Sequence, residues 1–571
     1  MKKLLGSRFW LIFLLLFVFA INFFASVFHT RADLTQEKRY TLSETSKDLF
    51  RGLQEVVAID VLVDGNGLPS EVRRLKNSIQ EFLSNCQEYS RGHLKFHFIN
   101  PYVGLNDSLQ KRLEDSLYAN FGLYPSVIDA PEKVGDKLEI SKVIHGAVVH
   151  YRDTALGVNL IAGIRNTGTS KEDRARLYNT IEATLEYKFA SAIQKITSTT
   201  KPMIGYTLGN GQVWGPNVDD AVRTLIRDYR FDTLNIKHIP YIPSAFSALI
   251  VLKPTVPFSD ADKLKIDQYV MRGGKIFWMI DNMYADFDSL AKSGGFIAYD
   301  RALNLEDLFF RYGVRLNQNL LQDVQCDKLA QMSNNPNSQQ ARLVDWPFFP
   351  ILNGTNHPIT KNMDGVRSMF PNTLDTVKAD GIKKTFLLRS SANARVLPAP
   401  AKVDFEFLNI APDIREFTIH DTTVAALLEG KFRSLYANRI PQSFADSMRA
   451  YNVPVKPVCD DDTRMIVVAD GDIAINQVSP QYGPLPMGYN FYTNYTFANK
   501  EFFSNCLDYL VNPSNILDTR AKDFTLRLLD LKKVKEQKAA WQMINIVLPV
   551  LLIILFGVVY QQLRKRKYAA G

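Results

Sequence analysis

Two apolar runs without a charged side chain lie at opposite ends of this 571-residue chain. Phe9 to Phe28 is interrupted only by Asn22 and Ser26, and Trp541 to Tyr560 forms a second run of the same length. At a rise of about 1.5 Å per residue, either run as a helix matches a hydrocarbon layer about 30 Å thick. Trp541 and Tyr560 stand where amphipathic rings favour the membrane interface. Pro549 is tolerable inside such a span because neighbouring helices can satisfy the carbonyl it frees. The first run shares a basic start and the small residues Ala25 and Ser26 with signal peptides. It is long for that purpose, and Ala25-Ser26-Val27 makes a poor cleavage site, so an uncleaved anchor is the better reading. Two anchors put both termini on one side. Lys2 and Lys3 before the first run and Arg564 to Lys567 after the second predict that this side is the cytoplasm. Lys532, Lys533, Lys535 and Lys538 argue the other way. Long loops translocate largely regardless of charge, however, so the short N-terminal tail should decide. The chain from 29 to 540 is then expected outside the cytoplasm.

The net charge of +9 gives no support to nucleic-acid binding, because Lys2, Lys3, Arg8 and Arg564 to Lys567 supply seven of those charges. What is left is too little for a phosphate-binding surface. Four scattered cysteines (Cys86, Cys326, Cys459 and Cys506) exclude a disulfide scaffold and a CxxC site.

Between the anchors, buried-strand and amphipathic-helix patterns alternate. Val56 to Val63 reads as a strand, Ser70 to Tyr89 as a helix with Val72, Leu75, Ile79, Phe82 and Leu83 on one face, and Leu94 to Phe98 as a second strand. Ser43 is placed to cap a short helix, and Leu138 to Tyr151 reads as a hairpin or paired strands. A long helix carries Leu177, Ile181, Leu185, Phe189, Ile193 and Ile196 at spacings of four and three. A second series follows: strands at 203–207, 248–252 and 275–281, with helices at 218–229 and 260–271, the latter stopped by Gly273-Gly274. This order predicts an α/β fold of doubly wound, mostly parallel sheets. The expected organisation is a tail at 1–8, a span at 9–28, a first α/β domain at 29–165 and a second begun at 177–325. An irregular or antiparallel insertion at 326–461 interrupts the second domain, which 462–515 completes. A stalk at 516–540, a span at 541–560 and a basic tail at 561–571 close the chain.

The glycine-rich stretch Gly209-Asn210-Gly211-Gln212 follows a strand and precedes a helix, the position where parallel sheets bind ligands. Asp281, Asp470 and Asp472 lie at strand ends and join it as candidate ligand-binding residues, with caps and turns as the plainer reading of each. The chain lacks a phosphate-cradling loop, an H-E-x-x-H motif and a G-x-S-x-G elbow, and no thiol follows the strand ending at Leu252. No cofactor, catalytic residue or metal site is expected, and His93 and His97 share a strand face with Lys95 that reads as solvated. In the second span, Asn545, Pro549 and Gly557 are candidate partner-binding residues, since an amide seeks a partner in hydrocarbon and small residues permit close helix approach.

Several segments carry a family resemblance. They are Asp33 to Ser43, Leu185-Glu186-Tyr187, Asp267 to Lys275, Val468 to Asp472, Asn499 to Asn505 and Leu526 to Asp530. With the two-span layout, they resemble the GldG family of gliding-motility-associated ABC transporter auxiliary subunits of Bacteroidetes, nearly end to end and least from 326 to 460. The stretch at 209–212 departs from that family's usual Gly-His-Gly-Glu. The resemblance implies an amidotransferase-like α/β domain without its catalytic cysteine, related in fold to a domain of intraflagellar transport proteins. It also implies a multi-span permease and a separate cytoplasmic ATPase as partners. The setting would be a bacterial inner membrane, with lipid around the spans and the bulk of the chain periplasmic. Two functions are open: a non-enzymatic auxiliary subunit that binds a partner or cargo outside the membrane, and a membrane-tethered hydrolase.

Overall fold

A computed structural model describes residues 10–27, 41–65, 68–129, 140–165, 170–332, 341–405, 413–512, 516–521 and 531–568. Met1–Lys522 and Asp523–Gly571 are two separate compact units. The N-terminal helix α1 (Trp10–Val27) has 18 residues, shorter than the expected span.

Ser43 caps α2 (Glu44–Arg51) as expected, its hydroxyl accepting from the Ser46 amide at 3.1 Å. Strand β1 (Val57–Val61), helix α3 (Ser70–Tyr89) and strand β2 (Leu94–Phe98) form the anticipated unit, with Val57 level with Leu94 in a parallel pair. Helix α4 (Asp107–Phe121) was not legible from hydrophobic periodicity, because Leu117 is its one buried side chain. Three short strands follow, β3 (Pro125–Asp129), β4 (Ile140–Ile144) and β5 (Gly146–Tyr151), and then β6 (Thr154–Asn159). The strands within 138–151 do not pair with each other, as a hairpin or paired strands there would require. β4 pairs with β3, whereas β5 pairs antiparallel with β1 and β6. Only His145 separates β4 from β5, and a hairpin needs at least a two-residue turn, so the strands serve different sheets.

His145 is buried, with its ring nitrogens 3.1 Å from the Tyr178 hydroxyl and 3.3 Å from Ser126 Oγ. Burial disfavours its charged form and pulls its pKa from 6.5 down to about 4. The folded state therefore binds fewer protons than the unfolded one between these values. Stability is full above pH 6.5 and is lost as pH falls toward 4. His145→Gln should remove a loss of about 2 kcal/mol between pH 7 and pH 5, read as a flatter pH profile of the urea midpoint.

Helix α5 (Lys171–Thr197), capped by Ser170, joins the two largest of the cores described in this unit. Leu185 and Phe189 pack in the smaller core, and Tyr187 reaches the larger. The larger core surrounds a ten-stranded sheet. Its first part runs β7 (Met203–Leu208), α6 (Asp219–Asp228), β8 (Arg230–Asn235), β9 (Ala248–Leu252), α7 (Asp260–Met271) and β10 (Ile276–Met279). The 326–461 stretch then adds β11 (Cys326–Met332), β12 (Ala341–Gly354), β13 (Ile382–Arg389) and β14 (Thr423–Gly430). Strand β15 (Thr463–Val468) and helix α8 (Asn499–Val511) complete the core, with Phe502 and Phe503 against Phe277.

The spatial order is β11-β12-β13-β14-β15-β10-β9-β7-β8, with Val366–Arg367 paired to β12. Strands β8, β7, β9, β10 and β15 are mutually parallel; the pairings of β11 to β14, and of β14 with β15, are antiparallel. The sheet is thus mixed rather than mostly parallel. In β13, Ile382-Lys383-Lys384 leaves charge toward water, which an antiparallel sheet tolerates better than a parallel one.

Helix α9 (Leu531–Tyr568) belongs to the second unit. It runs 38 residues with Pro549 inside, and Gln537–Arg566 is the one stretch among the described residues long and apolar enough to cross a membrane. The resembling segment Leu526 to Asp530, within the expected stalk, lies outside the described residues, as does most of Asp33 to Ser43.

Candidate functional site

Within the parallel half, the order β8-β7-β9-β10-β15 is the order two-one-three-four-five along the chain, so the direction of winding changes between β7 and β9. The loops after these strands, at their carboxyl ends, line the crevice where open α/β sheets receive ligands. All the candidates outside α9 sit on this edge. Gly209 to Gln212 follow β7, Asp281 follows β10, and Asp470 and Asp472 follow β15.

The three aspartates are brought together. Their carboxylate oxygens lie within 4.8 Å of one another, and all three side chains are buried. A cation already bridges two of them. Lys253, immediately after β9, places Nζ 3.2 Å from Asp281 Oδ2 and forms a close ion pair with Asp472. The Asp281 contact is near but poorly aligned, and Oδ2 has no hydrogen-bond donor among the described residues. Asp281 Oδ1 accepts from the Gly471 amide at 2.5 Å. Asp470 accepts from the Asp472 amide at 2.6 Å, the Met369 amide at 3.0 Å and the Ser368 hydroxyl.

Burial and the neighbouring Asp472 and Asp281 charges push the Asp470 pKa well above the ordinary carboxylate range. Burial also raises Asp472, to about 6, with Lys253 restraining the rise. For Lys253 the balance is reversed: burial alone would lower its pKa, but Asp281 and Asp472 outweigh burial and hold the ammonium charged. Lys253 adopts φ +46°, a left-handed conformation that side chains rarely take. The position also requires glycine at 471, where a Cβ would come within 2.8 Å of the Lys253 Cβ.

The glycine stretch is built into the same loops. Asn210 is fully buried; its carbonyl accepts from the Thr255 and Val256 amides at 3.0 Å, and its Nδ2 donates to Pro257 O at 3.2 Å. The Gln212 Oε1 accepts from the Asn210 amide at 2.8 Å, and Thr255 Oγ1 donates to Gly211 O at 3.0 Å. Gly211 has φ +70°, and a Cβ there would meet Thr255 Oγ1 at 2.1 Å. Residues 253–257 therefore tie the aspartate cluster to the glycine stretch. This is a buried framework beneath the carboxyl edge, in which one ammonium faces three carboxylates.

Sequence reasoning missed Lys253 and Ser368. The signal for Lys253 was a lone lysine directly after five buried apolar residues. The remaining candidates, Asn545, Pro549 and Gly557, lie in α9; a Cβ at Gly557 would meet nothing within 4 Å.

Several resembling segments also meet in space. The Ser43 amide donates to Glu186 Oε1 at 2.8 Å, and the Tyr187 hydroxyl donates to Asn505 Oδ1 at 2.7 Å.

A family model described as a domain of unknown function matches residues 36–150. An uncharacterized protein of Borreliella burgdorferi is 21% identical over 428 residues, covering 74% of this chain and 77% of that protein. Among solved structures, the mmIFT52 N-terminal domain aligns with 54% of this chain and 97% of its own, at 12% identity and a TM-score of 0.31. Residues 201–506, more than half of the chain and all five parallel strands of the ten-stranded sheet, match the model of an ABC-type uncharacterized transport system, and the chain belongs to that auxiliary family.

Proposed function

We propose that the chain is a non-enzymatic, membrane-anchored auxiliary subunit, assembled with a multi-span permease and a separate cytoplasmic ATPase and binding a partner or cargo outside the membrane. The family supplies the coarse statement, an auxiliary component of an ABC-type transport system. The observation that carries the finer reading is α9, in which no charge occurs between Lys538 and Arg564. Within it, Asn545, Pro549 and Gly557 are the proposed partner contacts, each interhelical hydrogen bond contributing about 1 kcal/mol. The proposed organisation keeps both termini in the cytoplasm, the bulk periplasmic, and the boundaries given by the sequence. Helices on both faces would make the parallel half doubly wound. Gly209, Asn210, Gly211, Gln212, Asp281, Asp470 and Asp472 are proposed to shape the ligand-facing edge from beneath. The non-enzymatic reading is supported by the use of these carboxylates as partners of Lys253 and of loop amides. The gliding-motility link belongs to this proposal and follows the resemblance.

Affinity capture of the chain from native membranes should retain a permease and an ATPase. Replacing residues 541–560 by a poly-Leu/Ala span should lose them, while the same replacement of 9–28 should not. Capture that is free of both partners, or equally sensitive to both replacements, would overturn the reading.

A further inference from the structure

Helix α9 carries eight cationic residues and one acidic residue, Glu536. Lys532, Lys533, Lys535 and Lys538 make one cationic group, and Arg564, Lys565, Arg566 and Lys567 the other, with no charge from Ala539 to Leu563. The second group agrees with a cytoplasmic end. The first lies on the outer side in the proposed arrangement, where cations beside a span are usually scarce.

Two lengths along the helix fit a bilayer. At 1.5 Å of rise per residue, Trp541 and Tyr560 are about 29 Å apart, close to the hydrocarbon thickness of about 30 Å. Lys538 and Arg564 are about 39 Å apart, close to the roughly 40–45 Å of hydrocarbon plus headgroups. The helix is continuous across both intervals, so its backbone holds the rings at the interface and the cations at phosphate depth. Trp541 Nε1 donates to Gln537 Oε1 at 3.3 Å, which ties the ring toward the lysine end.

The cations also surround the helix. At about 100° per residue, positions 564 to 567 fall on four sides in turn, and 532, 533, 535 and 538 leave no gap wider than about 140°. Lys538, Arg564, Lys565 and Arg566 are all exposed. A protein packed against α9 covers one side of it and meets only some of these charges. Lipid rings a span on every free side, so its headgroups meet all of them. Long Lys and Arg stems can lie along apolar surface while their heads reach the polar layer.

We propose that the two cationic ends of α9 bind anionic phospholipid headgroups, one group in each leaflet. The proposal rests on the anchored reading above and adds the charge class of the lipid. Lys and Arg offer donors and positive charge only, so headgroups with net negative charge match them better than zwitterionic ones. Each cation beside an anionic surface favours binding by about fivefold. Glu536 offsets part of the outer group, so the outer preference is the weaker of the two.

The test places the purified full chain in phosphatidylcholine bilayers with spin-labelled phosphatidylglycerol or phosphatidylcholine. Lipid held against the span gives a motionally restricted signal. That signal should favour phosphatidylglycerol several-fold, and salt near about 1 M should weaken the preference, because the screening length falls to about 3 Å. Lys532→Gln/Lys533→Gln/Lys535→Gln/Lys538→Gln and Arg564→Gln/Lys565→Gln/Arg566→Gln/Lys567→Gln should each lose part of it. Both sets together should lose nearly all. Inorganic phosphate should displace no more lipid than chloride of equal ionic strength. Equal restriction of both lipids by the wild type, or a preference that survives both sets, would overturn the proposal. So would full displacement by inorganic phosphate, which marks a site for the free anion. An acidic protein as the true partner gives no preference with the purified chain, and loss of the captured permease with the glutamine sets. Restricted phosphatidylcholine scores the anchor separately. Without it the span itself fails, and with it a missing preference falls on the cations alone.

Discussion

Lys253→Met should destabilise the large unit by about 3–5 kcal/mol at pH 7, the usual cost of removing one partner from a buried ion pair. Methionine keeps most of the volume but leaves Asp281 and Asp472 without the cation that bridges them. The deficit should also depend on pH, and its sign is fixed. Asp472 titrates at about 6 in the folded chain against an ordinary 3.8, so folding takes up a proton there. Its contribution is full below 3.8 and is lost as pH rises through 6. Removing Lys253 takes away the charge that restrains this rise and increases the loss at neutral pH. Near pH 4 Asp472 is protonated and needs no counter-ion. Urea midpoints of wild type and variant should converge as pH falls from 7 to 4. The acid effect of His145 is common to both and cancels in the difference. A gap that stays constant across this range would show that lost packing, not charge, is responsible.

Asp267→Ala should be of comparable severity, about 3–5 kcal/mol, because it strips one acceptor from several buried donors that each cost about 1–3 kcal/mol when unpaired. Asp267, on α7, is fully buried. Its Oδ1 accepts from the Tyr312 hydroxyl and the Leu435 amide, both at 2.9 Å, and its Oδ2 accepts from the Ser434 hydroxyl at 2.6 Å and Gln268 Nε2 at 3.2 Å. Next to it, Gln268 accepts from the Lys456 amide and donates to the Lys456 carbonyl, both at 2.9 Å. Together they pin Ser434, Leu435 and Lys456 to α7. Asp267→Asn keeps one acceptor and should lose about half as much. Limited proteolysis between 436 and 456 should accelerate in Asp267→Ala before the global transition. Unchanged cleavage and an unchanged midpoint would show that the hydrogen bonds are replaceable.

Asp267 also shows what the sequence did and did not reveal. The run Asp267 to Lys275 was legible as a resembling segment, but nothing local tells that its aspartate and glutamine fasten a stretch about 170 residues away. Helices and strands with buried faces were read with nearly their observed limits, as at Ser70–Tyr89, Leu94–Phe98 and Asp260–Met271, because periodicity and caps are local signals. Helix α4 escaped because it is mostly solvated. Strand β12 escaped because Pro347 and Pro350 argue against a ladder, although proline is admitted at sheet irregularities. At the edge, the three aspartates were visible one by one at strand ends. That they share a lysine depends on which strands lie side by side, and chain order alone does not state that.

The order of the strands has a consequence for how the chain comes to be folded. Strand β10 ends at Met279, and its parallel neighbour β15 begins only at Thr463, so about 180 residues must be made before that edge is covered. Until then Ile276 to Met279 offers a bare apolar ladder, a template for pairing with the wrong chain. A nascent chain stalled between the two strands would be the form most in need of a holding chaperone, and the form most prone to aggregate.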